Sequence, residues 1–452
     1  MASKIAVIGT GYVGLIQSVG LADFGNYVTG VDVRPEIVER LSSGEPTIFE
    51  HDLTEYLRRN LDARRVRFTT AVSDAVSDAE VVFIAVGTPE NGDGTSDLSQ
   101  IRAVVDAIKA SASASTVVVT KSTVPVGTNR WISQKLNGGE TDRRFVVASN
   151  PEFLREGRAI QDFFHPDRVV IGFDDPDMPA ARDARALLED IYRPLYLTST
   201  PFVWTTFETA ELIKYAANAF LATKITFINQ MANLAEAVGA DVQTIARTMG
   251  MDGRISGKFL HPGPGYGGSC FPKDTKALAA TGDSVGVDMS LVKAVITGND
   301  AQKARTAEKI IRLSGGSVDD REVAVLGLAF KAETDDIRES PAISVVAALL
   351  EAGATVTVHD PKALVGFRAE MERRGFADGR IAYHTDVFAC ITGAEAIVIL
   401  TEWNEYRNLD LPRAYTLMHR GVRSESRLFD TRNVLDPDAA RKAGFVYIGT
   451  GR

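Results

Sequence analysis

The stretch from Lys4 to Asp32 constrains the fold more than any other part of the chain. An apolar strand, Ile5-Ala-Val-Ile8, leads into Gly9-Thr-Gly11-Tyr-Val-Gly14, an apolar helical segment and a second strand that ends at Asp32. In such a unit the first glycine permits a tight turn, the second lets a pyrophosphate approach the backbone, and the third allows close packing of helix on strand. The stretch therefore predicts a dinucleotide-binding α/β domain with the phosphates at the helix N-terminus.

The acid at the end of the second strand bears on the choice of dinucleotide. Asp32 lies 18 residues after Gly14, where a carboxylate can accept a hydrogen bond from an adenosine ribose hydroxyl. It would repel a 2′-phosphate, so the sequence favours NAD. Arg34, two positions later, keeps NADP open as an alternative.

Three further apolar stretches have the spacing of a doubly wound sheet, and each ends in a short polar loop. The strands are predicted at residues 79–86, 116–120 and 145–149, and the loops are Gly87-Thr-Pro89, Lys121-Ser-Thr-Val-Pro125 and Asn150-Pro-Glu152. Each loop alone is compatible with an ordinary turn. Three loops at the carboxyl ends of neighbouring strands instead indicate a ligand site, because open α/β sheets bind ligands at that edge.

A long helix is predicted from about Thr206 to Val238, since this stretch contains neither proline nor glycine. At about 1.5 Å per residue it would extend for roughly 50 Å, enough to connect two domains and to offer a dimer surface. Lys214 and Asn218, four residues apart, share one face of it. They suit either a ligand site or a solvated polar stripe.

A second α/β unit begins near Glu322 and repeats the strand, helix, strand rhythm, with an acid, Asp360, again ending its second strand. The glycine series is replaced by a polar loop from Gly327 to Ser340. The predicted fold class is α/β, with two Rossmann-like doubly wound domains joined by a long central helix. The predicted domains are residues 1–200, 201–300 and 301–452. The break before the last domain is expected around residues 301–320, where Ser314-Gly-Gly-Ser supplies a linker.

One of the two cysteines lies in an unusual loop, Phe259-Leu-His-Pro-Gly-Pro-Gly-Tyr-Gly-Gly-Ser-Cys270-Phe-Pro-Lys-Asp274. The glycines and prolines exclude a regular element and allow a ligand to approach the backbone. A helix is predicted from about Lys273, and its N-terminus together with that lysine favours the thiolate of Cys270. A buried structural cysteine is the alternative interpretation.

Composition excludes several classes of protein. The chain has 452 residues, 45% of them hydrophobic, and a net charge of −9, which disfavours nucleic acid as a partner. The lack of a long apolar run or signal peptide, and the presence of only two cysteines, predict a cytoplasmic protein without a membrane partner. The six histidines are scattered, so no metal site is expected.

Taken together, these motifs closely resemble the UDP-glucose/GDP-mannose dehydrogenase family over nearly the whole chain. The resemblance depends on Gly9–Gly14, Lys121-Ser-Thr-Val-Pro-Val-Gly127, Asn150-Pro-Glu-Phe-Leu-Arg-Glu156, Lys214-x-x-x-Asn218, Gly267–Asp274 and Gly327-Leu-Ala-Phe-Lys331. It implies oxidation of a sugar C6 alcohol to a carboxylate by two NAD⁺ in succession. UDP-glucose is the favoured substrate, while GDP-mannose and UDP-N-acetyl sugars remain open. A homodimer or higher homo-oligomer is expected.

The resemblance also implies roles for individual residues. Cys270 would carry a thiohemiacetal and then a thioester, Glu152 or Asp274 would activate the hydrolytic water, Lys214 and Asn218 would stabilise the oxyanion, and Thr123 would order a water or the nicotinamide end. The implied cofactor residues are Gly9, Gly11, Tyr12, Val13, Gly14, Asp32, Thr88, Pro89, Ser122, Thr123, Glu156, Lys273 and Arg338. The implied substrate residues are Glu152, Phe153, Leu154, Arg155, Glu156, Lys214, Asn218, Arg254 (from a neighbouring subunit), Phe259, Leu260, His261, Pro262, Gly263, Gly267, Lys331 and Arg432.

The chain departs from the family pattern at Ile37, where several members carry a basic residue, which puts that cofactor contact in doubt. Two other functions compete with the one implied. A two-electron dehydrogenase, such as one acting on a hydroxy acid, would leave Cys270 without a role. A non-catalytic nucleotide-binding regulator would have no use for Glu152, Lys214, Asn218, Cys270 and Asp274.

Overall fold

The computed structural model describes residues 2–112, 115–138, 145–376, 379–418 and 425–452. The chain forms two compact units. The first comprises Met1–Ala217 with Ala280–Val287, and the second comprises Asn218–Ala279 with Asp288–Arg452. Each unit contains one mainly parallel sheet.

The sheet of the first unit has eight strands in the order β3-β2-β1-β4-β5-β6-β7-β8. The first six strands pair in parallel, β6 meets β7 in antiparallel orientation, and β8 runs parallel to β7. The strands are β1 (Lys4–Ile8), β2 (Tyr27–Val31), β3 (Val66–Thr69), β4 (Val81–Ile84), β5 (Val117–Thr120), β6 (Val146–Ser149), β7 (Val169–Phe173) and β8 (Phe202–Thr206).

Helices cover both faces of this sheet, and alternate residues of each central strand enter different cores. Ile5 and Val7 of β1 pack on one side, whereas Ala6 and Ile8 pack on the other. This double burial explains why the strands are continuous apolar runs. The helices are α1 (Tyr12–Asp23), α2 (Pro35–Ser42), α3 (Leu53–Asp62), α4 (Val72–Val76), α5 (Ser99–Ser111), α6 (Thr128–Asn137), α7 (Ala159–Phe164) and α8 (Pro179–Ile191), followed by a 3₁₀ turn at Arg193–Thr198.

The central helix, α9 (Phe207–Val238), begins in the first unit and ends in the second. The second unit contains a six-stranded parallel sheet in the order β11-β10-β9-β12-β13-β14. Its strands are β9 (Glu322–Leu326), β10 (Thr355–His359), β11 (Ile381–His384), β12 (Ala396–Ile399), β13 (Arg427–Asp430) and β14 (Val446–Gly449). The remaining helices are α10 (Val242–Gly250), α11 (Phe271–Ser284), α12 (Ser290–Leu313), α13 (Pro341–Glu351), α14 (Leu364–Arg373), α15 (Val387–Ile391), α16 (Asn404–Arg407), α17 (Leu411–Leu417) and α18 (Pro437–Ala443).

The predicted fold class is confirmed: there are two doubly wound α/β sheets and a long helix between them in the chain. The first part of the predicted break at residues 301–320 is helical, because α12 continues to Leu313 and buries Thr306, Ala307 and Ile310. The predicted linker Ser314-Gly-Gly-Ser follows the end of that helix. The predicted domain limits stay a prediction. Within the described residues, no helix is long and apolar enough to cross a membrane, and no group of three potential metal ligands occurs.

Candidate active site

The glycine turn after β1 has the geometry that a dinucleotide requires. Gly9 has a φ of +96° and donates its N–H to Val31 O at 2.8 Å, which holds the turn against β2. A Cβ on Gly14 would lie 1.7 Å from Gly9 O, so only glycine fits there. A Cβ on Gly11 would meet nothing within 4 Å, which leaves open space beside the N-terminus of α1. An NAD pyrophosphate fits this space.

Asp32 is buried at the end of β2 and is held by its neighbours. Its carboxylate accepts hydrogen bonds from the Thr10 hydroxyl at 2.8 Å and from Nε of Arg34 at 3.1 Å. Burial alone would raise the pKa of Asp32, but the hydrogen bonds from Arg34 and Thr10 outweigh it and lower that pKa. The carboxylate is therefore available as an acceptor for a ribose, and Arg34 is engaged with it.

The loops after β4 and β5 are joined by side-chain hydrogen bonds. The Thr88 hydroxyl donates to Thr123 O at 2.8 Å, and the Ser122 hydroxyl donates to Val86 O at 2.6 Å. Pro89 is exposed, and its carbonyl accepts from the Asp97 N–H at 2.8 Å. The predicted cofactor residues of these loops thus lie together at the carboxyl edge of the sheet.

A buried ion pair is the central feature of the first unit. Lys214 Nζ of α9 donates to Glu152 Oε1 at 2.7 Å, and the two side chains are only 4% and 6% exposed. The other oxygen of Glu152 accepts from the Leu154 N–H at 2.6 Å. The ring of Phe153 lies 5.5 Å from Lys214 Nζ and 3.7 Å from the guanidinium of Arg168. Lys214 and Glu152 were predicted to have separate roles, and their pairing was not predicted.

Lys121 belongs to the same buried cluster, and sequence reasoning assigned it no role. Its Nζ donates to Asn150 Oδ1 at 3.2 Å, and that oxygen also accepts from the Tyr192 hydroxyl at 2.9 Å. Burial lowers the pKa of Lys121 to about 8, although Glu152 opposes the shift and Lys214 adds to it. The only sequence signal was its position immediately before Ser122 and Thr123.

A buried carboxylate on α9 holds the loop after Thr123 in place. Glu211 accepts from the Gly127 N–H at 2.6 Å and from the Asn129 N–H at 2.8 Å. It lies three residues before Lys214, so it fixes the first turns of α9 against the N-terminus of α6. Burial raises the pKa of Glu211, opposed by these hydrogen bonds.

In the second unit, Cys270 is the residue immediately before α11. The Asp274 N–H donates to Cys270 O at 2.8 Å, and the Ser269 hydroxyl lies 3.5 Å from Sγ. Cys270 is partly exposed, whereas Cys390 is buried in the core of the second sheet, where burial raises its pKa to about 12. Only Cys270 thus has the setting of a reactive thiol.

Asp274 is almost fully buried, at 1% exposure, and both of its oxygens are used. The Asn218 amide donates to one at 2.6 Å, and Lys273 Nζ donates to the other at 2.7 Å. Both candidates for water activation, Glu152 and Asp274, thus accept hydrogen bonds on each of their oxygens, and Asp274 also orients the Asn218 amide. Lys273, predicted to meet the cofactor, pairs with Asp274.

The glycine loop packs on the polar loop that follows β9. A Cβ on Gly267 would lie 2.4 Å from Glu339 O, and Gly268, at a φ of +84°, donates its N–H to Arg338 O at 2.8 Å. Arg432 donates to Leu400 O at 2.8 Å and to Phe330 O at 3.0 Å. A Cβ on Gly263 would lie 3.1 Å from the Arg432 guanidinium. The loops that carry Cys270 and Lys331 are therefore neighbours within this unit.

Other predicted site residues have different surroundings. Arg155 is bonded to Asp162, Arg254 to Asp252, and Arg338 to Asp336, so each of the three arginines has an acidic partner. Val13, Glu156, Phe259 and Lys331 are partly buried, Leu260, Pro262 and Gly263 are buried, and His261 is exposed. The functional roles of all these residues stay predictions.

Three family models match the chain in sequence order. They describe the NAD-binding domain (residues 3–196), the central domain (residues 208–301) and the UDP-binding domain (residues 324–437) of the UDP-glucose/GDP-mannose dehydrogenase family. The last of these supports a nucleotide sugar as the substrate.

Relatives match over the full length. UDP-glucose 6-dehydrogenases from Rhizobium meliloti and Pseudomonas aeruginosa are 47% and 42% identical, each over 99% of this chain and over 99% and 97% of their own lengths. A solved UDP-glucose dehydrogenase from Pyrobaculum islandicum is 39% identical with a TM-score of 0.88, covering 99% of this chain and 98% of that one. A UDP-D-ManNAc dehydrogenase from Pyrococcus horikoshii is 27% identical with a TM-score of 0.83, covering 99% of both chains. This chain belongs to the UDP-glucose/GDP-mannose dehydrogenase family.

Proposed function

We propose that this chain oxidises UDP-glucose to UDP-glucuronate, using two NAD⁺ per substrate and a covalent intermediate on Cys270. The observation that carries the proposal is the partly exposed Cys270 at the start of α11, next to the Asn218–Asp274 hydrogen bond. A two-electron dehydrogenase needs no such thiol. The choice of UDP-glucose is supported by full-length relatives named UDP-glucose 6-dehydrogenase.

The residues at the carboxyl edge of the first sheet would hold NAD⁺. The N-terminus of α1 beside Gly11 would bind the pyrophosphate, and Asp32 would accept a hydrogen bond from the ribose. When bound, NAD⁺ supplies the hydride acceptor for each of the two oxidations. Thr88, Ser122 and Thr123 lie at the same edge and would shape the nicotinamide end of the site.

Cys270 makes the second oxidation feasible. Its thiolate adds to the C6 aldehyde produced by the first oxidation, and the carbonyl oxygen takes up a proton to give a thiohemiacetal. Loss of hydride from C6 and a proton from oxygen converts this adduct to a thioester. Hydrolysis breaks the carbon–sulfur bond, leaving the carboxylate and the regenerated thiol. The Asn218 amide, oriented by Asp274, would donate to the oxygen that becomes negative in these steps.

Glu152 is the proposed base that activates the hydrolytic water, and Lys214 is the second proposed oxyanion donor. Their 2.7 Å ion pair holds the carboxylate and the ammonium side by side in a buried setting, where each offsets the cost of burying the other. Lys121, held by Asn150, adds positive charge on the same side of the sheet when it is protonated.

The same constellation would serve other sugar nucleotides, and the residues that touch the base and the sugar decide among them. Lys331, Arg432 and the segment from Phe259 to Gly263 are the proposed contacts. A panel containing UDP-glucose, GDP-mannose and UDP-N-acetyl sugars tests the choice. The highest kcat/KM is expected with UDP-glucose, and a higher value for another sugar nucleotide would reassign the substrate.

We also propose a homodimer or higher homo-oligomer. The middle and end of α9 expose Phe220, Phe227 and Leu234 at intervals of seven residues, and they are 66%, 42% and 54% exposed. An apolar stripe of this kind suits packing against a second copy. We expect Phe227→Glu to lower the assembly state in analytical ultracentrifugation, while Gln230→Glu, on an exposed position of the same helix, leaves it unchanged.

A cytoplasmic location is proposed as well, because a reducing compartment suits two free thiols.

Counting NADH formed per sugar nucleotide tests the proposed reaction. Two equivalents are expected from wild type, one would indicate a two-electron dehydrogenase, and none a binding protein. Cys270→Ser is expected to form no acid, whereas the matched variant Cys390→Ser should form it normally. Normal acid production by Cys270→Ser would overturn the thioester mechanism.

A further inference from the structure

Another buried carboxylate of the first unit, that of Glu50, connects two segments of the proposed site. It lies between α2 and α3 and is 6% exposed. One oxygen accepts from the Gly157 N–H at 2.8 Å and from the Tyr12 hydroxyl, and the other accepts from the Ala159 N–H at 2.8 Å. The Gly157 N–H also lies 3.1 Å from the Tyr12 hydroxyl oxygen.

The partners of Glu50 come from functionally different segments. Tyr12 is the first residue of α1 and belongs to the glycine series that would bind the cofactor pyrophosphate. Gly157 ends the loop that begins at Asn150 and carries Glu152, and it has a φ of +78°, a conformation that favours glycine. The Glu50 carboxylate thus connects the glycine turn at residues 9–14, called here the cofactor loop, to the loop at residues 150–157 that carries Glu152.

The donor set requires a carboxylate and not an amide. All three partners are donors, so each side-chain oxygen of Glu50 must accept. A glutamine has the same shape but offers one acceptor and one donor, so one of the three partners would face a second donor. Burial of Glu50 raises its pKa, and the three hydrogen bonds oppose that change. Burying a charged carboxylate at this position costs free energy. Capping a helix alone does not require a buried charge.

We propose that Glu50 is a positioning residue that couples the cofactor loop, through Tyr12, to the loop that carries Glu152. The inference rests on the proposed function, since that reaction needs NADH to leave and a second NAD⁺ to bind while the sugar stays on Cys270. The tie through Tyr12 and Gly157 holds the two loops in register during this exchange. Loss of the hydrogen bonds from Tyr12 and Gly157 to Glu50 weakens NAD⁺ binding. It also slows turnover, because the loop that carries Glu152 shifts.

The test compares Glu50→Gln and Tyr12→Phe with wild type by NAD⁺ titration, steady-state kinetics and thermal unfolding. Glu50→Gln is expected to raise KM for NAD⁺ by about tenfold and to lower kcat. Tyr12→Phe, which leaves both N–H bonds to Glu50, is expected to raise KM for NAD⁺ by about threefold with little change in kcat. The double variant should be no worse than Glu50→Gln alone, because both changes break one coupling.

Glu45→Gln, on an exposed carboxylate of the same segment, is the matched control and should behave as wild type. If Glu50 only caps α7, Glu50→Gln will lower the melting temperature without changing KM for NAD⁺, and Tyr12→Phe will have no effect. That result, or strict additivity of the two changes, overturns the proposal. Wild-type NADH stoichiometry is measured in the same preparation, so a failure of the proposed reaction is seen separately.

Discussion

The two sheets of the molecule contain the same turn after their first strand. Gly9 and Gly327 have φ values of +96° and +97°, and each donates its N–H at 2.8 Å to the carbonyl of the last residue of the neighbouring strand, Val31 or His359. The strand order around the turn is also the same, with the second and fourth strands of each sheet flanking its first. An aspartate follows that neighbouring strand in both, Asp32 in the first sheet and Asp360 in the second.

The two aspartates are used differently. Asp32 accepts from the Thr10 hydroxyl and from the backbone N–H and Nε of Arg34. Asp360 accepts from four backbone N–H groups and from the Trp403 indole; the donors are Leu328 at 2.7 Å, Ala329 at 3.0 Å, Lys362 at 2.8 Å, Ala363 at 2.9 Å and Trp403 at 3.1 Å. The second sheet thus uses its aspartate to hold the backbone of its own loop, whereas Asp32 is the proposed ribose acceptor of the first sheet.

The two sheets also differ in the length of the connection between this turn and the next helix. In the first sheet α1 begins at Tyr12, three residues after Gly9, so its N-terminus points at the turn. In the second sheet α13 begins only at Pro341, and the polar loop from Leu328 to Ser340 lies between. A helix N-terminus at the turn can bind phosphate through backbone N–H groups, whereas in the long loop side chains such as Lys331 are the proposed contacts. The same turn geometry can therefore support two kinds of nucleotide site.

The largest expected effect comes from adding a side chain to the glycine turn after β1. Gly14→Ala places a methyl group 1.7 Å from Gly9 O, so the helix must move away from the strand. We expect loss of measurable NAD⁺ binding and a fall of about 3 kcal/mol or more in the free energy of unfolding. Isothermal titration and urea unfolding measure the two effects. Gly11→Ala, with no atom within 4 Å of its new methyl group, is the control and should fold normally. Retention of NAD⁺ affinity within threefold by Gly14→Ala would show that the turn does not form the site.

The next largest effect should come from Asp360. Asp360→Asn exchanges one acceptor oxygen for a donor that faces backbone N–H groups, and it should lower the free energy of unfolding by about 2–3 kcal/mol. The dissociation constant for NAD⁺ should not change, because the first sheet is untouched. Urea unfolding and NAD⁺ titration of the same sample check both statements. Weaker NAD⁺ binding without loss of stability would mean that Asp360 serves a ligand after all.

Asp32→Asn should show the reverse pattern. Removing the carboxylate weakens the ribose contact and the repulsion of a 2′-phosphate, while Arg34 is released to meet that phosphate. We expect kcat/KM for NAD⁺ to fall about tenfold and the preference for NAD⁺ over NADP⁺ to fall further. Steady-state rates with both cofactors measure the ratio. An unchanged ratio would exclude Asp32 as the residue that selects the cofactor.

Local patterns predicted much of the fold. The β1–α1–β2 unit was recognisable because three glycines and an acid have fixed offsets, and the strands because both faces are buried and each is a continuous apolar run. The absence of glycine and proline from residues 207–238 predicted α9. The end of α12 within the predicted break was missed, because Ala307 and Ile310 are spaced as in a helix but lie among charged residues.

The partners within the candidate site were not predictable in the same way. Glu50 binds backbone groups 107 and 109 residues away, and Lys214 pairs with a residue 62 positions away. Such contacts leave no periodic signal in the sequence, because they depend on how helices and loops pack. Asp274 was predicted as a candidate base, and its contact with Asn218, 56 positions away, had no signal in the sequence either.

The smallest effect concerns pH, and it should have opposite signs in the two sheets. The folded protein lowers the pKa of Asp32, so the stabilisation by this carboxylate is present above its unfolded pKa and is lost as pH falls through its folded pKa. Burial raises the pKa of Asp430 in β13, although hydrogen bonds from Leu435, Val434 and Tyr447 oppose the shift. Its contribution is therefore largest below the unfolded pKa and is lost as pH rises through the folded pKa.

Thermal unfolding of wild type, Asp32→Asn and Asp430→Asn between pH 3 and about pH 7 tests this contrast. As pH rises, the melting temperature of wild type should increase relative to that of Asp32→Asn and decrease relative to that of Asp430→Asn. The pH dependence isolates the charge from the hydrogen bonds that each substitution also removes, because those bonds are lost at every pH. If both differences changed in the same direction, the two sheets would not differ in how they hold their carboxylates. The opposite trends would show that the first sheet stabilises a charge for a ligand, while the second tolerates one to close its own loop.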